Sequence, residues 1–159
     1  MSGAVERFSP EIEARLEAAA RACAAQGATL TPLRRVVLGL VLEAQQPIGA
    51  YALLDLLKRS RAGAAPPTVY RALDFLMERG LVHKVERLNA FVGCPIAAEH
   101  AGHGHAHAVQ FLICSRCGRV EETEDQGIAA AIARAAERAG FRPARATVEI
   151  EGTCRACTG

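Results

Sequence analysis

The sequence predicts an α+β protein: an N-terminal winged helix-turn-helix, then a small C-terminal α/β domain. Three observations carry that expectation. The first half is a series of helix starts, each with a proline at its head or a break before it, and it closes on the alternating stretch LVHKVERLNAFVG. The second half reads as strand, turn, strand, helix, strand. Ligand chemistry is also uneven, since five of the six cysteines and four of the five histidines follow Gly93. The expected boundaries are residues 1–93 for the first domain and 98–159 for the second, with a hinge at about 88–97.

Ser9-Pro10-Glu11 has the chemistry of a helix start: a hydroxyl cap, proline at the first helical position and acids in the first turn. The alanine-rich EARLEAAARACAAQ favours helix, and Gly27 ends it. Thr31-Pro32 repeats the pattern ahead of LRRVVLGLVLEA. A third helix fits AYALLDLLKRSR, with Leu53, Leu54, Leu56 and Leu57 as its buried face. The break at Gly63 to Pro67 opens a fourth, TVYRALDFLMERG, ended by Gly80. The following LVHKVERLNAFVG turns near Leu88-Asn89 and predicts a β-hairpin.

At 100° per residue the fourth helix places Val69, Ala72, Leu73 and Leu76 on one face, with Arg71, Asp74 and Glu78 opposite and Tyr70 on the flank. A plain helical bundle with a hairpin attached fits the spacing equally well. The expected exposure of Thr68, Tyr70 and Arg71 at the start of this helix separates the two, because a recognition helix sets its N-terminal residues against base edges in the major groove.

Beyond Pro95, AVQFLIC and GRVEETE read as strands either side of a Cys-x-x-Cys turn. DQGIAAAIARAAERAG reads as an amphipathic helix ended by Gly140, and ARATVEIEG as a third strand leading into CRAC. About sixty residues make a marginal hydrophobic core, so something else should hold this part together.

Bulk properties narrow the function. Half of the 159 residues are apolar and 23% are charged, a foldable composition. No apolar run spans a membrane, and MSGAVERFSPEIEARL lacks a signal-peptide pattern, so a cytoplasmic location is expected. There, six cysteines point to metal or redox chemistry above a disulfide framework. Through Gly93 the chain carries 12 Lys and Arg against 9 Asp and Glu, and beyond it 7 against 8. A mildly basic first half with a metal-rich second half implies divided labour.

Cys114-x-x-Cys117 and Cys154-x-x-Cys157 are two knuckles with 36 residues between them. Four thiolates complete a tetrahedral zinc shell with no open position, and its natural role is structural. A pair of redox disulfides is the competing reading. Cys23 fits as a small buried hydrophobe inside a helix. Cys94, at the junction of the halves, is placed to join His83 of the hairpin, one of the histidines His100, His103, His105 and His107, and one of Glu121, Glu122 and Glu124. Such a mixed shell would couple metal binding to the orientation of the two halves. The zinc-deaminase pattern of His-x-Glu with Pro-Cys-x-x-Cys is absent, and no catalytic residue is expected.

PPTVYRALDFLMERGLVHKVE, the Cys94 junction, the histidine-containing loop, FLICSRCGRVEE and the final CRAC together resemble the ferric uptake regulator superfamily, most closely its zinc-sensing branch. The resemblance runs from the TPLRR helix to the last cysteine. It implies a zinc-responsive transcriptional repressor of zinc-uptake genes. Such a repressor is a homodimer through its C-terminal domain, binds double-stranded inverted-repeat operator DNA when zinc-loaded, and has no membrane or small-molecule partner. It implies two zinc ions per chain: a structural one on Cys114, Cys117, Cys154 and Cys157, and a regulatory one on His83, Cys94, His107 and Glu122, with His105 the alternative ligand to His107. Tyr51 and Arg71 match family positions that contact DNA, and Thr68 and Tyr70 join them by position. An iron- or peroxide-sensing member is the alternative; Ala108, Val109 and Phe111 stand where iron-sensing relatives carry histidine ligands, which favours zinc.

Overall fold

The computed structural model describes residues 7–94 and 108–159. The chain divides into two compact units, Met1–Gly102 and His103–Gly159.

The first unit opens with α1 (Pro10–Ala25). Ser9 caps it by accepting the Ile12 amide at 3.3 Å, and Glu11 and Glu13 lie in the first turn, where the helix dipole favours negative charge. Gly27 takes φ 69°, a left-handed conformation that costs a residue with a Cβ more than glycine. In α2 (Pro32–Glu43) the cap is Thr31, accepting the Arg34 amide at 3.4 Å. Arg35 of α2 reaches back to Glu13 at 2.6 Å and Glu17 at 2.9 Å, tying the first two helices together. Helices α3 (Ala50–Ser60) and α4 (Pro66–Glu78) follow. Strands β1 (Val82–Val85) and β2 (Ala90–Gly93) then pair antiparallel, Val82 opposite Gly93 and Val85 opposite Ala90, around a turn in which Asn89 is left-handed at φ 46°.

Every predicted element of this unit is present. The hairpin also gains a pairing the alternation did not reveal: Ile48, in the loop before α3, exchanges both backbone hydrogen bonds with Phe91 at 3.0 and 2.8 Å. A single bridge residue has no period, so no pattern marks it in the sequence. The core gathers Leu16, Val37, Leu38, Leu53, Leu57, Val69, Leu73, Leu76 and Phe91. Leu56, expected among the buried leucines, is half-buried and packs at the core's margin. Gly39 lies under the ring of Phe8; a Cβ there would overlap its Cε2 and Cζ atoms.

Among its described residues, the second unit has one α-helix and a three-stranded sheet in which the first strand in sequence is the central one. Strand β3 (Val109–Cys114) runs antiparallel to β4 (Val120–Thr123) and parallel to β5 (Thr147–Gly152). The crossover between β4 and β5 contains α5 (Gln126–Arg138), capped by Asp125, which accepts the Ile128 amide at 3.0 Å. The described core here is small: Ala108, Phe111, Ile113 and Cys114 are buried, with Gln110 the one buried polar residue. No residue of α5 is buried. Leu112 and Ile150, paired across β3 and β5, are 41% and 45% exposed.

Candidate metal centres and nucleic-acid interface

Strand β3 delivers Cys114 at its end, and the chain turns back through Gly118 at φ 72°, bringing Cys117 round. Strand β5, in parallel register with Cys114 opposite Gly152, delivers Cys154 and then Cys157 in a short helical turn, Arg155–Cys157. Two 36-residue-distant knuckles therefore meet because neighbouring strands end side by side. Ser115 donates amide and hydroxyl to the Gly152 carbonyl at 2.8 and 3.0 Å, and Arg116 donates to the Cys157 carbonyl at 2.7 Å, fastening one knuckle to the other.

The four sulfurs lie within 4.8 Å of one another, with Cys117 and Cys154 3.7 Å apart. Sulfurs on a tetrahedral zinc, bound at about 2.3 Å, stand about 3.8 Å apart, whereas a disulfide needs about 2.05 Å. The spacing fits a metal shell, and none of the six cysteines forms a disulfide. The cluster also separates its charge. The Cys154 amide, donating to Cys114 Sγ at 3.3 Å, and then the Cys117 amide hold the Cys114 thiol down to about 6. Hydrogen bonds with Cys154 and then Cys117 push the Cys157 thiol up to about 12. One sulfur is a ready anion; a divalent metal that binds thiolates would displace the remaining protons.

In the first unit, His83 lies on β1 opposite Val92, and Cys94 follows β2, buried at 4% exposure. Their ligand atoms fall within 4.8 Å of each other, an imidazole and a thiol on adjacent strands. In the second unit Glu122 lies on β4 opposite the fully buried Phe111, so its carboxyl shares the buried side of the strand. Burial, with a smaller contribution from Glu124, pushes that carboxyl up to about 7. Strand alternation turns Glu121 to the other face, and it and Glu124 are exposed. His107, its alternative His105, and His100 and His103 lie outside the described residues.

On α4, Val69, Ala72, Leu73 and Leu76 are buried, while Tyr70, Arg71, Asp74 and Glu78 are exposed, as the helical period predicts. Thr68 differs from the expectation. It is half-buried, and its hydroxyl accepts the Ala65 amide at 3.4 Å, so it caps the helix start rather than standing free. The competing use follows from position: a hydroxyl at the third helical residue is within reach of the orphan amide at the N-cap. Tyr51, second residue of α3, is 67% exposed.

Some residues of these sites escaped the sequence. Gln110, 1% exposed, donates to the Asp125 carbonyl at 2.8 Å and accepts the Asp125 amide at 3.2 Å, clamping the start of α5 to β3. Its one signal was a polar residue in an otherwise apolar strand. Arg34 stacks on the Phe75 ring at 3.6 Å with Arg79 beyond at 5.6 Å, a pairing no spacing rule reveals.

A helix-turn-helix with a β-wing, on one chain with a sheet domain ending in a four-thiol cluster, defines a metal-binding winged-helix protein. The family model of the ferric uptake regulator family matches residues 25–151, and the chain belongs to that family. It is 42% identical over 142 residues to the zinc uptake regulation protein of Escherichia coli (strain K12), a match covering 89% of this chain and 80% of that one. A solved zinc uptake regulator complexed with zinc and DNA superimposes with a TM-score of 0.85 at 39% identity, covering 94% of this chain and 97% of its own. The crystal structure of holo XcZur matches with a TM-score of 0.80 at 43% identity, covering 91% and 97%.

Proposed function

We propose that this protein is a zinc-responsive transcriptional repressor that binds inverted-repeat operator DNA as a dimer when zinc-loaded and represses zinc-uptake genes in the cytoplasm. The observation that carries the reading is the joint presence of an exposed, basic recognition-helix start and thiol-bearing ligand sets, in a chain that is similar along most of its length to a regulator solved with both zinc and DNA.

Two zinc ions per chain follow in this account. Cys114, Cys117, Cys154 and Cys157 hold the structural ion, whose closed shell fixes the ends of β3 and β5. His83, Cys94, His107 and Glu122 hold the regulatory one, with His105 the alternative to His107. A shell drawn from both units makes affinity for the ion depend on how the units are oriented. The population then shifts toward the orientation that binds ion best, by no more than the difference in affinity between the states. In that orientation two copies of α4 present Tyr70 and Arg71 to successive major grooves, and Tyr51 supports them from α3. Thr68 acts by fixing the helix start. The half-exposed Leu112 and Ile150, an apolar pair on the sheet, support a second copy seated on the second unit.

Titration of the protein and an inverted-repeat duplex, selected from a randomised pool, with zinc, iron and manganese in turn tests this reading. Metal is counted per chain alongside. Retention on the duplex with zinc, at two zinc per chain, supports it. Binding that ignores zinc, or answers to iron or manganese in its place, sinks it.

A further inference from the structure

We infer that Arg15, a residue of α1 that contributes no ligand atom, is a positioning residue for the metal site to which Cys94 belongs; the inference rests on the zinc reading given above. Arg15 Nη2 donates to the Cys94 carbonyl at 3.1 Å, across 79 residues of sequence. On the other side of the same residue, the Cys94 amide donates to the Leu81 carbonyl at 3.0 Å. The backbone of this thiol ligand is thus gripped from both directions, by the strand pair and by a helix from the opposite end of the unit.

Gly93 supplies an independent observation. A Cβ built there would run into the Leu42 side chain and lie 4.0 Å from Arg15 Nη2. The residue before the ligand has no side chain where α2 and the Arg15 guanidinium close over the strand. Cys94 is 4% exposed and Arg15 half-buried, so the bond forms where water competes weakly.

A thiolate's direction is set by its backbone and one rotatable bond. Fixing the backbone leaves that single torsion to be ordered when an ion binds, and groups that orient a ligand in this way commonly change metal affinity ~10–100-fold when removed. Lysine would preserve a charged donor on a similar stem, whereas methionine would preserve the stem alone.

The test uses the full chain and zinc itself. Wild type, Arg15→Met, Arg15→Lys and Cys94→Ser are titrated with zinc against a chromophoric chelator, and cobalt substitution reads the sulfur-to-metal charge-transfer band. In Arg15→Met the weaker zinc is expected to lose ~10–100-fold in affinity and the cobalt band to weaken, with the tight zinc at full occupancy. Arg15→Lys is expected to recover most of that loss. Wild-type affinity in Arg15→Met overturns the inference, as does an equal loss in Arg15→Met and Arg15→Lys, which would assign the effect to packing of α1. If Arg15→Met does not fold by circular dichroism, Arg15→Gln replaces it under the same criteria. Should Cys94→Ser keep the second zinc, the zinc reading itself fails, independently of Arg15.

Discussion

Stripping metal from the four-thiol cluster should unfold the second unit and leave the first intact. The magnitudes are far apart. Apart from Cys114 of the thiol cluster, the buried apolar side chains described in the second unit are Ala108, Phe111 and Ile113. At about 1.5–3 kcal/mol for each large one, Phe111 and Ile113 together contribute about 3–6 kcal/mol. A structural zinc in a small thiolate fold is worth about 10–16 kcal/mol near neutral pH. The ion outweighs the core, so Cys154→Ser, or a chelator strong enough to compete, should melt the sheet and α5. The first unit keeps its own core of Leu16, Leu38, Leu53, Leu73 and Leu76. Helix α5 holds 13 residues, against 16, 12, 11 and 13 in α1 to α4, so circular dichroism should lose about a fifth of its helical signal. Hydrogen exchange should accelerate in β3 and β5 and stay slow in α2 and α4. Unchanged exchange in β3 after verified metal loss would refute the reasoning, and so would collapse of all helical signal.

Other substitutions probe the frame. Gly39→Ala forces a methyl into the Phe8 ring and should cost about 1–3 kcal/mol in chemical denaturation, while Gly63→Ala, in open space, should cost little. Gln110→Leu leaves the Asp125 amide and carbonyl without their clamp and should destabilise the second unit by about 1–3 kcal/mol, read as faster exchange at the start of α5. Glu13 sits below its ordinary carboxyl value because the Arg35 side chain, and then the Phe8 amide, donate to it. An acid held low stabilises the fold above its unfolded value and loses that contribution as pH falls through the folded one. Glu13→Gln should therefore lower Tm at neutral pH and match wild type in strong acid; a gap that persists there would refute the assignment.

The elements were legible in the sequence because each carries a local signal. Ser9-Pro10 and Thr31-Pro32 are caps whose chemistry acts within four residues, and the leucine face of α3 and the Val69–Leu76 face of α4 are periods. The four-thiol site was legible for a related reason: two tight chelating turns can be recognised singly, and few arrangements satisfy both. Contacts without periodicity were not legible. Ile48 bridging Phe91, Arg35 joining Glu13 and Glu17, Arg15 reaching Cys94 and Arg34 lying on Phe75 depend on where helices and loops cross in space. Thr68 was legible in position but not in use, because the same helix start that exposes a side chain to a ligand leaves an amide in need of a partner.

The central claim, that metal at the Cys94 site governs DNA binding, is tested most directly by one comparison. Wild type and Cys94→Ser, each carrying its tight zinc, are titrated with further zinc while the bound fraction of a selected inverted-repeat duplex is read by fluorescence anisotropy. The account predicts saturable, zinc-dependent binding in wild type and none in Cys94→Ser at the same zinc concentrations, with the tight ion still counted in both. Equal zinc-dependent binding by the two proteins would contradict it.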